Sequence, residues 1–176
     1  MESVWWVVKQ LWEKGLIYRG EKVVPFSTAL GTVLSNFEIA SNYQDVQDPS
    51  VTVLFKLDDD GTASEELWIA AWTTTPWTLP SNLALCVGDD IDYVKVRDAD
   101  LNKNIILAKE RLEHVGKGKQ LEVLDEFKGA SLVGKRYTPI LPYFAELKSE
   151  GAFTILSDDY VSTESGTGVV HQAPAF

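Results

Sequence analysis

A chain of 176 residues, 45% hydrophobic and 24% charged, can bury a core as one sizeable domain or a domain with an appendage, and is too apolar for disorder. Its net charge of −10 argues against broad contact with a nucleic-acid backbone, so any nucleic acid is expected to be touched locally, at one end. A single cysteine, Cys86, excludes an intrachain disulfide and fits a reducing compartment. The two histidines, His114 and His171, lie far apart in sequence and make no zinc pattern, so no metal is expected.

In chain order, Val4, Val8, Leu11 and Trp12 recur at helical spacing, which predicts a first helix with Ser3 as its cap and Gly15 as its stop. The start lacks the basic region and small-residue cleavage site of a signal peptide, and no apolar run approaches the ~18 residues of a membrane span. Strict alternation at Val51, Val53, Phe55 and Leu57 predicts a half-buried strand. It leads into Asp58-Asp59-Asp60-Gly61, read as a hairpin turn because it lacks the alternating ligands and closing Glu of a calcium loop. Short strands are expected at 67–72, 83–87, 93–96, 105–108 and 121–124, with Cys86 a buried thiol in the second of them. Short helices are expected at 109–115, closed near Gly116, and at 143–148, stopped by Gly151. The basic stretch 128–136 reads as a solvated loop, and extended backbone resumes at 154–156 and 168–171. Many short strands with few peripheral helices predict an α+β, mainly β class with a closed barrel-like β core.

Two segments carry candidate chemistry. In Trp72-Thr73-Thr74-Thr75-Pro76-Trp77-Thr78-Leu79-Pro80-Ser81-Asn82, each Thr hydroxyl donates and accepts without a charge or a proton to lose near neutral pH. Pro76 pushes Thr75 towards extended backbone, so the triplet leaves its strand in a stiff geometry suited to holding a polar uncharged group or a water. β-branched Thr also simply favours strand ends. The second segment is Ser165-Gly166-Thr167-Gly168-Val169-Val170-His171-Gln172-Ala173-Pro174. Its glycines free the backbone for a tight turn or close approach to a ligand, and it delivers His171. It is neither a Rossmann fingerprint nor a P-loop, and a lone His before a Pro-ended strand is as readily structural. With no aspartic-protease motif, no Gly-x-Ser-x-Gly elbow and no Cys-His pairing, a covalent nucleophile is not expected.

The two segments together resemble the editing domain of isoleucyl-tRNA synthetases of the eukaryotic cytosolic type, a module inserted into the Rossmann catalytic domain of those enzymes. Residues 2–6 and 25–30 resemble the connection that precedes it. Leucyl and valyl relatives carry Thr-Thr-Arg-Pro where this chain has Thr74-Thr75 beside Pro76. The resemblance spans essentially the whole chain, with 1–45 as an N-terminal helix and connecting segment from the catalytic body and 46–176 as the editing core.

The resemblance implies post-transfer hydrolysis of the ester that links a wrong amino acid, chiefly valine, to the 3′-terminal adenosine of isoleucine tRNA. A pocket that accepts isoleucine cannot strongly exclude valine, one methylene smaller, so a second and smaller site must remove the error. On this resemblance Thr73, Thr74 and Thr75 would line the pocket, bind the amino-acid moiety and terminal ribose and position the attacking water. Asn82 would hold the loop or contact substrate, and Trp72 and Trp77 would form walls. His171 would close the side-chain end, while Gly166 and Gly168 would let their loop approach closely. The implied partners are the mischarged tRNA 3′ end with its valine and the parent catalytic body, in a cytoplasmic monomer without cofactor, metal or membrane contact. The family's acidic residue for the substrate ammonium group follows Pro174 by a few residues, after a Gly, whereas the sequence ends at Phe176. A non-catalytic module that binds the aminoacylated tRNA end is therefore the alternative, and a purely structural inserted domain the third reading. Without ATP-site motifs, aminoacylation by this chain is not expected.

Overall fold

The computed structural model describes residues 1–41, 43–58 and 65–174. Apart from Asp58, the turn expected at 58–61 lies outside the described residues. The chain divides into two compact units, Met1–Gln47 and Asp48–Phe176.

In the first unit, helix α1 (Glu2–Glu13) follows the apolar periodicity of its sequence. Ser3 does not cap it: Met1 holds the N-cap position without a side-chain bond, and Ser3 lies inside the helix. Gly15 stops it as expected, taking a left-handed φ of 69° so that the Gly15 and Leu16 amides return to the Trp12 and Leu11 carbonyls. Strands β1 (Phe26–Ser27) and β2 (Thr32–Val33) form a small hairpin. A one-turn helix α2 (Asn36–Ile39) is opened by a capping box between Ser35 and Glu38. No described helix of the chain is long and apolar enough to cross a membrane.

The second unit contains, in chain order, β3 (Val51–Lys56), β4 (Leu67–Thr73), β5 (Ala84–Val87), β6 (Asp92–Asp98), β7 (Lys103–Ala108), helix α3 (Leu112–Val115), β8 (Leu121–Lys128), β9 (Thr154–Ser157) and β10 (Val170–Gln172). Five strands form one sheet in the order β3-β4-β7-β6-β8, parallel only between β4 and β7. Three form a second sheet in the order β10-β5-β9, parallel between β5 and β9. Mainly β with short helices is therefore the class, but the closed barrel is not found. Among the described residues β3 pairs only with β4, and β8 only with β6. The outer strand β8 carries Glu122, Asp125 and Glu126, all exposed, and charges on an edge strand favour leaving it in water over pairing it to close a seam. Instead, bridges from Leu57 to Tyr137 and from Arg136 to Thr154 stitch the two sheets at one corner.

The core lies between the sheets, where Phe55, Ile69, Leu85, Tyr137 and Ile155 are fully buried. Each such side chain contributes about 1.5–3 kcal/mol relative to exposure. The far face of the large sheet holds a smaller cluster of Ala70, Val94, Val96, Ile105 and Leu107, covered by Leu112 and Val115 of α3. The region 109–115 is a 3-10 turn, Lys109–Arg111, running into α3. The helix expected at 143–148 is a kinked 3-10 segment, Pro142–Glu150, broken at Phe144 and ended by Gly151 at φ 108°. Within 128–136, Lys128 pairs with Asp92 at 2.7 Å and Arg136 donates to the Lys148 carbonyl at 3.0 Å.

Candidate active site

Strand β4 ends at Thr73, which is buried, and Thr74 and Thr75 emerge into solvent. The Thr73 hydroxyl accepts the Thr75 amide at 3.0 Å and lies 3.3 Å from the Thr75 hydroxyl, so the triplet folds on itself as it leaves the sheet. Pro76 then opens a 3-10 helix, Pro76–Ser81, with its missing N–H at a position where no helical bond is needed. Thr78 closes the first turn by donating its hydroxyl to the Thr75 carbonyl at 2.8 Å. Asn82 ends the helix with its side chain buried.

Strand β10 brings the second segment alongside, His171 standing opposite Leu85 of β5. The glycines before it serve packing. Gly168 has φ 74°, and a Cβ there would lie 2.4 Å from the Ala108 Cβ; at Gly166, φ 68°, a Cβ would come 3.2 Å from the Trp72 ring. Between them Thr167 donates its hydroxyl to the Ala70 carbonyl at 2.6 Å and accepts the Ala108 amide at 2.8 Å. Arg111 donates to the Gly166 carbonyl at 3.0 Å from outside. The loop is thus pressed onto the large sheet, and neither glycine lines the cleft.

The cleft between the two segments has a volume of about 460 Å³, within the range of small-ligand sites. Trp72, Thr73, Thr74, Thr75 and Thr78 form one wall; Val170, His171, Gln172, Ala173 and Tyr160 form the other. No lining residue carries a carboxylate, ammonium, guanidinium or thiol, so the described walls offer hydroxyls, an imidazole, an amide and apolar surface. Of the residues expected from sequence, Trp72, the three threonines and His171 meet here. Asn82 lies one layer behind, Gly166 and Gly168 support from the side, and Trp77 is 71% exposed and outside the cleft. Thr78 and Tyr160 were not singled out from sequence. Thr78 stood in plain view, three residues after Thr75 where the first turn of a Pro-started helix closes. Tyr160, whose hydroxyl bonds Gln172, gave no signal.

His171 is half-buried, and burial lowers its pKa from the ordinary imidazole value. Both ring nitrogens are engaged: Nδ1 lies 3.0 Å from Asn82 Nδ2, and Nε2 lies 2.8 Å from Thr78 Oγ1. Cys86 is buried with its thiol pKa raised by desolvation, the opposite of an activated nucleophile.

A family model of tRNA synthetases class I (I, L, M and V) matches residues 1–165. The chain is 59% identical over its full length to the cytoplasmic isoleucine–tRNA ligase of Mus musculus, 55% to the isoleucine–tRNA ligase of Bdellovibrio bacteriovorus and 50% to the cytoplasmic one of Saccharomyces cerevisiae. It spans 14% of the first of these proteins and 16% of the other two. Among solved structures it resembles GlLeuRS-CP1, with a TM-score of 0.61 at 15% identity over 72% of this chain and 55% of that one. It also resembles the Plasmodium knowlesi cytosolic leucyl-tRNA synthetase editing domain, with a TM-score of 0.56 at 14% identity over 70% of this chain and 58% of that one. At such identities the likeness concerns the fold. The chain belongs to the class I tRNA synthetases of the isoleucine, leucine, methionine and valine group, and it has the fold of an editing domain.

Proposed function

We propose that this chain is the editing module of a cytoplasmic isoleucine–tRNA ligase and hydrolyses the aminoacyl ester of Val-tRNA(Ile). The observation that carries this reading is the meeting of the Thr73–Thr74–Thr75 turn and His171 across one cleft whose described walls carry no charge, in a chain similar to isoleucine–tRNA ligases. A water held by the threonine hydroxyls adds to the ester carbonyl. The same hydroxyls donate to the developing oxyanion, a proton of the water passes to the ribose oxygen as the bond to it breaks, and valine and the free 3′-terminal hydroxyl leave. The ester is activated enough that neither metal nor covalent intermediate is required.

His171 acts in this scheme as a wall at the side-chain end of the cleft. A general base needs a lone pair facing the water, and both ring nitrogens are engaged within the protein, Nδ1 by Asn82 Nδ2 at 3.0 Å and Nε2 by Thr78 Oγ1 at 2.8 Å. The wall admits valine and excludes the additional methylene of isoleucine. The tRNA is met through its 3′ end, as suits a chain of net charge −10.

The test is deacylation of Val-tRNA(Ile) and Ile-tRNA(Ile) by the mouse isoleucine–tRNA ligase carrying this chain in place of its own matching segment. Release of valine with retention of isoleucine is expected. Retention of valine by the chimera, with binding of Val-tRNA(Ile) by the chain itself, would instead favour the non-catalytic binding module.

A further inference from the structure

Behind the cleft stands Tyr137, which no motif announces and the scheme above does not use. It is fully buried, its amide donates to the Phe153 carbonyl at 3.0 Å, and it bridges to Leu57 at the corner where the sheets are stitched. Its ring is held edge-on between Phe55 at 5.3 Å and Phe153 at 5.9 Å, which fixes where the hydroxyl points. That hydroxyl donates to Asn82 Oδ1 at 2.6 Å. Burial raises the phenol pKa well above its ordinary value, so the group remains a donor.

The consequences follow by counting protons. Because Oδ1 of Asn82 is taken by a donor, the NH2 end faces the other way, towards the Ala84 carbonyl at 2.9 Å and His171 Nδ1 at 3.0 Å. Nδ1 must then be the acceptor, and the proton of the neutral ring sits on Nε2. Nε2–H donates to the Thr78 hydroxyl at 2.8 Å, whose own proton goes to the Thr75 carbonyl at 2.8 Å. The chain runs in one direction, from Tyr137 through Asn82, His171 and Thr78 to the backbone of the threonine turn, with each partner both oriented and satisfied.

We infer that Tyr137 is a positioning residue for the proposed reaction: by donating to Asn82 it sets the direction of a hydrogen-bond chain that fixes the His171 tautomer and holds the Thr75 carbonyl. Remove its hydroxyl and Oδ1 is left buried without a donor, the amide then being oriented by the acceptors its NH2 meets, the Ala84 carbonyl at 2.9 Å and the more distant Gln172 carbonyl at 3.5 Å. A turned amide presents Oδ1 to Nδ1, moves the imidazole proton there, and draws the Thr78 proton towards Nε2, away from the Thr75 carbonyl.

Long-range 15N–1H NMR of the chain reads the tautomer, with His114→Gln leaving a single imidazole in the spectrum. A pure Nε2–H form is expected at neutral pH. Tyr137→Phe keeps the ring packing and is expected to add the Nδ1–H form. Asn82→Asp, which presents a carboxylate to Nδ1, is expected to place a proton there throughout. In the editing assay Tyr137→Phe should lower kcat roughly ten- to a hundredfold, with KM for Val-tRNA(Ile) changed less than about twofold. A merely structural tyrosine would lower Tm without moving the tautomer or splitting kcat from KM. An Nδ1–H form in the unaltered chain, or an Nε2–H form left unchanged by Tyr137→Phe, overturns the inference. The role in editing rests on the proposed function, but the tautomer does not. Absence of any valine release would sink the function while the spectrum still decides the direction of the chain.

Discussion

Replacing His171 by Ala separates a steric gate from a general base. As a gate, the ring blocks the additional methylene of isoleucine. Once it is gone, burying that methylene contributes about 0.8 kcal/mol, about fourfold, so Ile-tRNA(Ile) should be cleaved at least as fast as Val-tRNA(Ile). The truncation also removes one hydrogen-bond partner each from Asn82 Nδ2 and Thr78 Oγ1, which bond the ring. Two lost hydrogen bonds at about 0.5–1.5 kcal/mol each should lower stability by about 1–3 kcal/mol and slow both substrates alike through a looser threonine turn. The ratio of the two rates is therefore the informative quantity, because the loosening cancels in it. The assay is release of labelled amino acid from each aminoacyl-tRNA by the chimeric ligase and its His171→Ala form, below saturation. A base would instead give a uniform loss of ~100-fold to 10,000-fold on every substrate. An unchanged ratio with a uniformly lower rate refutes the gate.

Three other outcomes are expected. Thr74→Ala and Thr75→Ala should each cost about 2.7–4 kcal/mol of transition-state stabilisation if their hydroxyls serve as oxyanion donors. Thr73→Ala should also lower stability by about 0.5–1.5 kcal/mol, since its hydroxyl holds the Thr75 amide; wild-type deacylation by all three would reduce the triplet to strand-end sterics. Gly168→Ala should lower stability by about 2–5 kcal/mol, from a left-handed φ of 74° and a Cβ 2.4 Å from that of Ala108; an unaltered thermal transition would contradict the packing role. The His171 pKa is lowered by burial, so the native state disfavours the charged ring. The stability it contributes is complete above its unfolded pKa of about 6.5 and is lost as pH falls through the lower folded value. Thermal melts in steps from about pH 7.5 to 5 should therefore fall more steeply for the unaltered chain than for His171→Gln, and parallel curves would contradict this.

Local pattern announced the strands well and their closure poorly. The alternation from Val51 to Leu57 is a property of adjacent residues, and it produced β3 with Phe55 buried and Val53 packed beside it. Whether β3 and β8 pair depends on edges brought together by the whole chain, and among the described residues they do not, which leaves two sheets where a barrel was expected. Helical turns of 3-10 type at 76–81 and 142–150 differ from α-turns by a fraction of a residue per turn, too little to read over so few residues. At the site, the hydroxyls and the imidazole were legible because their types carry chemistry. Tyr137 was not, since its function lies in one hydrogen bond to a residue 55 positions away. The glycines were legible as conformational freedom, but what they make room for is Ala108 and Trp72.

The site owes its geometry to the core more than to its loops. Thr78 and His171 are 93 residues apart and sit on different sides of the cleft, one beyond the end of β4 in the large sheet, the other in β10 of the small one. What brings them within 2.8 Å is a set of buried attachments on the near side of β10. Thr167 is bonded to Ala70 and Ala108, Gly168 is seated on Ala108, and its carbonyl accepts the buried Tyr93 hydroxyl. Each is made to a strand of the large sheet, so the small sheet is registered against the large one next to the cleft. Discriminating one methylene requires a wall that does not yield by a fraction of its own thickness, and an exposed loop cannot supply that. A wall tied through Asn82 and Tyr137 to the Phe55–Phe153 aromatic cluster can, because its displacement would break buried hydrogen bonds and a packed core together. The described walls suit the proposed discrimination, since hydroxyls, an imidazole, an amide and apolar surface distinguish ligands by shape and hydrogen bonding.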